Sequence, residues 1–366
     1  MDTERLRGFY RGKKVLITGH TGFKGSWLAH TLLGMGAKVV GVALPPKTNK
    51  DIFVVTDLAS EVSHYEFDIR NFERLTALIS SERPDVIFHL AAQPLVRQSY
   101  QEPLETFTTN VVGTANVLEA IRLSKCVKAA VIITTDKVYE NREWIYGYRE
   151  TDPLGGHDPY SSSKAAADIV TDSYRRSFFS PEKFNDTHTT LVATARAGNV
   201  IGGGDWSQNR LVPDIMRAIF DGDGAVTLRN PGSTRPWEHV LESVSGYLTL
   251  GMRLGSGDRE VSGNWNFGPS SDSFVSVGEV TKKAIQLLGK GYVKIESDPG
   301  KHEANELTLD VTKAHRLLGW KSKWNIETMI GKTIEWYQSA HEDPSSARMI
   351  TKKQIDEYFN LEKKSL

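Results

Sequence analysis

Short apolar runs alternating with helical stretches predict an α/β chain of 366 residues built on a doubly wound parallel sheet. The predicted strands are near-continuously apolar, as in a sheet covered on both faces. A glycine-rich turn follows the first strand directly and opens a helix. The residues with chemical potential follow strand ends, where open α/β sheets bind their ligands.

The elements run in order. Lys14 to Thr18 is a β-branched run ended by Gly19, and a helix from about Gly25 to Leu33 is closed by Gly34 and Gly36. Lys38 to Leu44 is a second strand, stopped by Pro45 and Pro46. A third ends at Phe67-Asp68, and Asp85 to Leu90, opened by Pro84, is a fourth. Ala130 to Thr134 is a fifth and Leu191 to Ala195 a sixth. Helical stretches at about 275–288, 312–318 and 326–338 complete the C-terminal region.

Composition narrows the partners. Lysine plus arginine equals 45, as does aspartate plus glutamate, so no charge excess favours nucleic acid or an acidic membrane surface. The single cysteine, Cys126, allows no internal disulfide and suits a reducing compartment. The first residues lack a signal-peptide apolar run and no stretch is long enough to span a bilayer, so a cytoplasmic location is expected. The ten histidines show no ligand-like spacing, and no metal is expected.

Gly19-His20-Thr21-Gly22-Phe23-Lys24-Gly25 lies where a Rossmann-type sheet binds a dinucleotide. Glycines permit the tight turn and close approach to a pyrophosphate, and the helix N-terminus offers amides and positive dipole. Three glycines in a turn can also serve structure alone; the strand–turn–helix context favours the cofactor. Strand two ends in Leu44-Pro45-Pro46 without a carboxylate for the adenosine ribose, so NAD and NADP both stay open at this point. Asp68 and Ile69, after strand three, are placed to read and pack the adenine, with a helix N-cap as the alternative role for Asp68.

Tyr160 and Lys164 are four residues apart, so a helix puts them on one face. A phenol titrates near 10 and becomes a useful base only beside positive charge. The spacing alone also fits an interface tyrosine beside a solvated lysine.

Taken together, the glycine loop, Asp68-Ile69-Arg70, His89-Leu90-Ala91-Ala92-Gln93, Thr134 to Tyr139, Tyr160 with Lys164, and Arg196 to Val200 resemble the extended short-chain dehydrogenase/reductase family. Within it, Gly19 to Trp27, Ala91 to Arg97, Glu140 to Trp144, Gly198 to Trp206 and Arg235 to Val240 are most similar to a nucleotide-sugar 4,6-dehydratase. The likeness runs from about Gly12 to Trp336. It departs at Leu44, where such enzymes usually carry Asp, and at Val138, where they carry Cys.

The resemblance implies NAD as cofactor, held by Gly19, His20, Gly22, Phe23, Lys24, Gly25, Asp68, Ile69, Leu90, Ala91 and Ala92 together with Tyr160 and Lys164. It implies a triad of Thr135, Tyr160 and Lys164 for oxidation at C4 of a nucleotide-bound sugar, with Asp136 as acid at C6. Lys137 stands where relatives carry a glutamate base, and either removes the C5 proton or stabilises the enolate by charge. Gln93, Arg97, Asn199, Arg210, Leu211, Arg235 and His239 would hold the substrate, and Glu303 beside His302 would lie near its nucleotide. Asn110 is expected to brace the active-site helix rather than touch ligand. The implied division is a dinucleotide-binding part, 1–198 with about 235–254, and a nucleotide-sugar lobe, 199–234 and 255–366. Helices near Pro103 to Ser124 and Tyr160 to Phe178 resemble those that join protomers in this family, as a homodimer or homotetramer. A 4-epimerase, or a non-catalytic NAD-sensing regulator on the same fold, are the competing readings.

Overall fold

The computed structural model describes residues 2–269, 274–296 and 307–361; His302 and Glu303 lie outside them. Seven parallel strands form the main sheet, in the order β3-β2-β1-β4-β5-β6-β10. Their ranges are β1 Lys14–Thr18, β2 Lys38–Ala43, β3 Ser63–Glu66, β4 Val86–His89, β5 Ala129–Ile133, β6 Leu191–Ala197 and β10 Asn264–Phe267. The order reverses between β1 and β4, whose register pairs Thr18 with His89. The crevice above that reversal is where such sheets bind ligands.

Alternation along each strand divides the core in two. Val15 and Ile17 of β1 point to one face with Phe88, Val131 and Ala193, and are covered by the helices Phe23–Gly34 and Val240–Gly255. Leu16 points to the other with Ile87, Ala130, Ile132 and Val192, under the helices Phe72–Glu82 and Gly113–Ser124. Burial on both faces is why these strands read as unbroken apolar runs. Each fully buried aliphatic side chain here contributes about 1.5–3 kcal/mol.

The remaining strands are β7 Asn199–Ile201, β8 Ala225–Leu228, β9 Thr234–His239, β11 Phe274–Ser276 and β12 Tyr292–Ile295. They build a three-stranded sheet, β11-β9-β7, and a two-stranded one, β12-β8. β9 feeds straight into the helix Val240–Gly255, which lies on the main sheet. Residues 255–366 do not all belong to the smaller lobe: β10 is the seventh strand of the main sheet, paired with β6, and the helix Ser346–Phe359 packs against Phe23–Gly34.

The helical run from Pro103 to Ser124 is interrupted by a π-helical turn at Thr108–Val112, which carries Asn110. No helix among the described residues is long and apolar enough to cross a membrane.

Candidate active site

The ends of β1, β4, β5 and β6 converge on one cleft, with the helix Pro159–Phe178 alongside it. Gly19 has φ +80° and lies so close to the β4 loop that a Cβ would sit 2.7 Å from the Ala91 nitrogen. A Cβ on Gly25 would sit 2.2 Å from the Gly19 carbonyl oxygen. Both positions therefore require glycine. The helix beginning at Phe23 has Gly22 at its N-cap and no side-chain cap, so its first amides face the cleft unbonded by a neighbouring side chain. An uncapped N-terminus behind a close-packed glycine turn fits a pyrophosphate.

The other residues expected around the cofactor divide. Leu90 and Ala91 are tied to β1, through Thr18 O at 3.0 Å and Thr18 Oγ1 at 3.2 Å, and Ala92 follows them at the rim. Phe23 packs towards Gly202. Ile69 is buried against Gly113. The Asp68 carboxylate is engaged by Arg70, through both Nε and Nη2, and that charge pair holds it below the usual carboxylate range. The cap of the following helix is Asn71, not Asp68. The His20 ring turns away from the cleft: its Nε2 lies 2.7 Å from His64 Nδ1 beneath Gly41, so only its backbone belongs to the glycine loop.

Thr134 to Lys137 turn sharply after β5. Thr135 caps the single turn Asp136–Val138, and its Oγ1 donates to Asp136 Oδ1 at 2.9 Å. The Tyr160 phenol lies near the same threonine. Tyr160 and Lys164 start the helix Pro159–Phe178, whose N-cap Asp158 accepts from the Ser161 amide. Lys164 Nζ donates to the Ile133 carbonyl at 2.8 Å, and burial draws its ammonium down to about 8. Lys164 was expected to depress Tyr160. In the chain itself burial wins and pushes the phenol up to about 12, while Thr135 and the Arg210 charge pull the other way. Lys137 stands half-buried beside them.

Of the residues expected on the substrate, Arg210 enters this cleft. It is bonded to Asp205 at 2.9 Å and its charge reaches Tyr160 and Lys24. Leu211 follows it as the first residue of a short helix. Asn199 begins β7 opposite Trp237, and Arg97 lies on the helix Val96–Gln101. Arg235 is on β9, where its Nη1 donates to Thr234 O. Gln93 is buried and its amide is consumed by Leu95 and Thr106, so its side chain shapes the loop. Asn110 braces that loop and the active-site helix, bonding Gln93 N, Gln93 O and Ser163 Oγ. His239 is a correction: it is 0 % exposed between Trp27 and Trp324, and its Nδ1 caps the helix Val240–Gly255. It belongs to the core.

A family model described as GDP-mannose 4,6 dehydratase matches residues 16–333. The chain belongs to that family. A CDP-glucose 4,6-dehydratase of Salmonella typhimurium is 43 % identical over 355 residues, covering 97 % of this chain and 98 % of that one. A UDP-glucose 4-epimerase of Mycolicibacterium smegmatis is 26 % identical, covering 89 % and 99 %. Among solved structures, a dTDP-glucose 4,6-dehydratase of Bacillus anthracis in complex with NAD superposes with TM-score 0.75 at 24 % identity, covering 91 % of this chain and 98 % of that one. DesIV of Streptomyces venezuelae, a dTDP-glucose 4,6-dehydratase with NAD and TYD bound, gives 0.75 at 23 %, covering 92 % and 99 %. The solved structures share the Rossmann-like fold of this chain.

In this member of the dehydratase family one cleft residue lies outside the sequence expectations. Glu238 is buried, accepts from Ser243 Oγ at 2.6 Å, and faces Lys24 and Asp136. Burial raises its carboxyl and lowers the Lys24 ammonium opposite. Period-2 alternation along β9 was the available signal, since it sets Glu238 and His239 on opposite faces.

Proposed function

We propose that this enzyme converts CDP-D-glucose into CDP-4-keto-6-deoxy-D-glucose with NAD as its cofactor. The observation that carries the reading is one cluster, Thr135, Asp136, Lys137, Tyr160 and Lys164, which unites an alcohol base with an acid and a lysine. The identity to the Salmonella CDP-glucose enzyme supports the nucleotide. NAD, when bound against the glycine turn, supplies the hydride acceptor at C4 and the donor at C6.

The chain's own residues do the rest. Tyr160 removes the C4 hydroxyl proton, with Thr135 orienting phenol and hydroxyl. Lys164, anchored on Ile133, is placed for the cofactor ribose. Once C4 is a ketone the C5 proton is acidic; Lys137 removes it or stabilises the enolate. Asp136 gives its proton to the C6 oxygen, which leaves as water. Arg210 and Arg235 are the cations for the diphosphate. A 4-epimerase would leave Asp136 and Lys137 without a task, and a regulator would have no use for the complete triad.

The finer organisation follows. Segment 199–234 with the residues around β11 and β12 forms the nucleotide-sugar lobe, against the NAD-binding main sheet. The enzyme is cytoplasmic, as its lone Cys126 suggests, and homo-oligomeric: Leu104, Val112, Leu123, Ile169 and Phe178 expose apolar surface on the two long helices, with Leu104 76 % exposed. The test is incubation of the pure protein with CDP-, UDP-, dTDP- and GDP-glucose. CDP-glucose should give the 4-keto-6-deoxy product without net NADH, and exclusive turnover of another nucleotide would contradict the CDP assignment.

A further inference from the structure

Asp136 and Lys137, the residues assigned to elimination, stand on a single helical turn that hardly holds itself. Its own bonds are long: the Val138 amide donates to the Thr135 carbonyl at 3.4 Å, and the Lys137 amide to Thr135 Oγ1 at 3.4 Å. A lone 3₁₀ turn has poor hydrogen-bond geometry in general. Groups that act on a substrate atom need holding to within about 0.5 Å by the residues around them, so this turn must be fixed from outside.

Its two ends are held separately. At the near end the Thr134 amide donates to the Ala195 carbonyl and Thr134 Oγ1 to Asp168 Oδ2, both at 2.9 Å. Asp168 lies on the helix that carries Tyr160 and Lys164, so the groups assigned to C4 oxidation are fixed together. At the far end, directly after Val138, Tyr139 is 1 % exposed and its ring stacks on Tyr148 with centroids 5.1 Å apart. Its hydroxyl donates to Asn266 Oδ1 at 2.7 Å and accepts from Arg196 Nη1 at 2.7 Å. Both partners are anchored in turn: Asn266 Nδ2 donates to the Tyr148 carbonyl at 2.8 Å, and Arg196 is forked onto Asp168.

We propose that Tyr139 is a positioning residue for elimination: its hydroxyl, pinned between Arg196 and Asn266, fixes the far end of the turn and so sets where Asp136 and Lys137 stand against C5 and C6 of the sugar. It acts through the turn and not on the substrate. This rests on the dehydratase reading. Main-chain bonds at the same end, Glu140 N to Pro153 O at 3.0 Å and Gly155 N to Val138 O at 2.9 Å, keep the path of the chain when the hydroxyl is removed. Loss of the pin therefore shifts the turn without unfolding it. The near end keeps both of its bonds, so elimination suffers and oxidation does not.

The test is rapid-quench kinetics with CDP-glucose on the wild-type enzyme and on Tyr139→Phe, trapping intermediates with borodeuteride for mass spectrometry. Thr194→Val is the control, because Thr194 Oγ1 also donates to Asp168, at 3.1 Å, but does not touch Tyr139. Circular dichroism melts establish that each variant is folded. Tyr139→Phe should oxidise C4 within a few-fold of the wild-type rate and then accumulate the 4-keto hexose nucleotide, with elimination slowed about 10–100-fold. KM for CDP-glucose should change little. Thr194→Val should lose stability and accumulate nothing. Asn266→Ala, which takes away the acceptor of the same hydroxyl, should accumulate the same intermediate, and it decides the matter if Tyr139→Phe does not fold. The ratio of intermediate to product is independent of the folded fraction, so a merely structural tyrosine would leave it unchanged. Wild-type dehydration with an unchanged ratio in Tyr139→Phe, or equal accumulation in Thr194→Val, would overturn the positioning role alone. Oxidation and elimination slowed by the same factor would also overturn it. A wild-type enzyme that forms no 4-keto-6-deoxy product would overturn the dehydratase reading and this role with it.

Discussion

Asp168 and Arg196 form a forked ion pair beneath the catalytic cluster, with Nε to Oδ2 at 3.0 Å and Nη2 to Oδ1 at 2.9 Å. Both side chains are almost wholly buried. Asp168 is one turn beyond Lys164 on the active-site helix, and it also accepts from Thr134, next to Thr135. Arg196 reaches on to Tyr139, whose hydroxyl donates to Asn266 of β10. One pair thus ties the helix carrying Tyr160 to the strand ends carrying Thr135.

Removing one member strands a buried charge. Asp168→Ala should cost about 3–5 kcal/mol of stability, read by denaturant unfolding. Replacing both residues by apolar ones of matching volume should recover much of that loss. Equal stability of the single variant and wild type would show that the pair does not hold the helix.

Tyr160→Phe should lower the oxidation rate on the order of 10²–10⁴-fold while CDP-glucose affinity stays within a few-fold, because the ring still fills its place. Since burial pushes the phenol up to about 12, the phenolate fraction grows with pH. The oxidation step should therefore speed up from neutral to alkaline pH in single-turnover measurements. A rate that falls over that range would point to a different base.

Lys137→Met should still oxidise C4 but lose exchange of the C5 proton with deuterated solvent, if the amine is the base. Exchange at the wild-type rate would leave Lys137 only its electrostatic role.

Stability should fall steeply on the acid side. Burial holds the His20, His89 and His239 rings down at about 3. Unfolded, they titrate near 6.5, so the unfolded chain binds more protons between those values and stability drops as pH falls through that window. Each histidine contributes up to about 1.4 kcal/mol per pH unit. Glu150, Glu238 and Glu242 act oppositely, because burial raises their carboxyls and favours the folded state at low pH, but His30, held down at about 4, joins the other three rings against them. Thermal melts from pH 7 to 4 check this, and a melting point that rises on acidification would refute it.

Much of this was legible in the chain because it is local. The spacing of Tyr160 and Lys164, the glycine turn after β1 and the strand ends all follow from period and position. What escaped is tertiary. Asn264-Trp265-Asn266-Phe267 alternates polar and apolar, unlike the central strands, because Asn266 is a buried polar anchor bonded to Tyr139 and the Tyr148 carbonyl. His239 reads as a ligand until the fold places it between two tryptophans, and Gln93 until Leu95 and Thr106 take its amide. Leu44 removes the usual acidic signal for NAD, and it stands exposed at 55 % after β2.

The most direct measurement follows the hydrogen at C4. CDP-glucose deuterated at C4 should yield CDP-4-keto-6-deoxyglucose with that deuterium in the C6 methyl group, detected by NMR. Deuterium lost to solvent, or retained at C4 of an epimerised sugar, would contradict the dehydratase assignment.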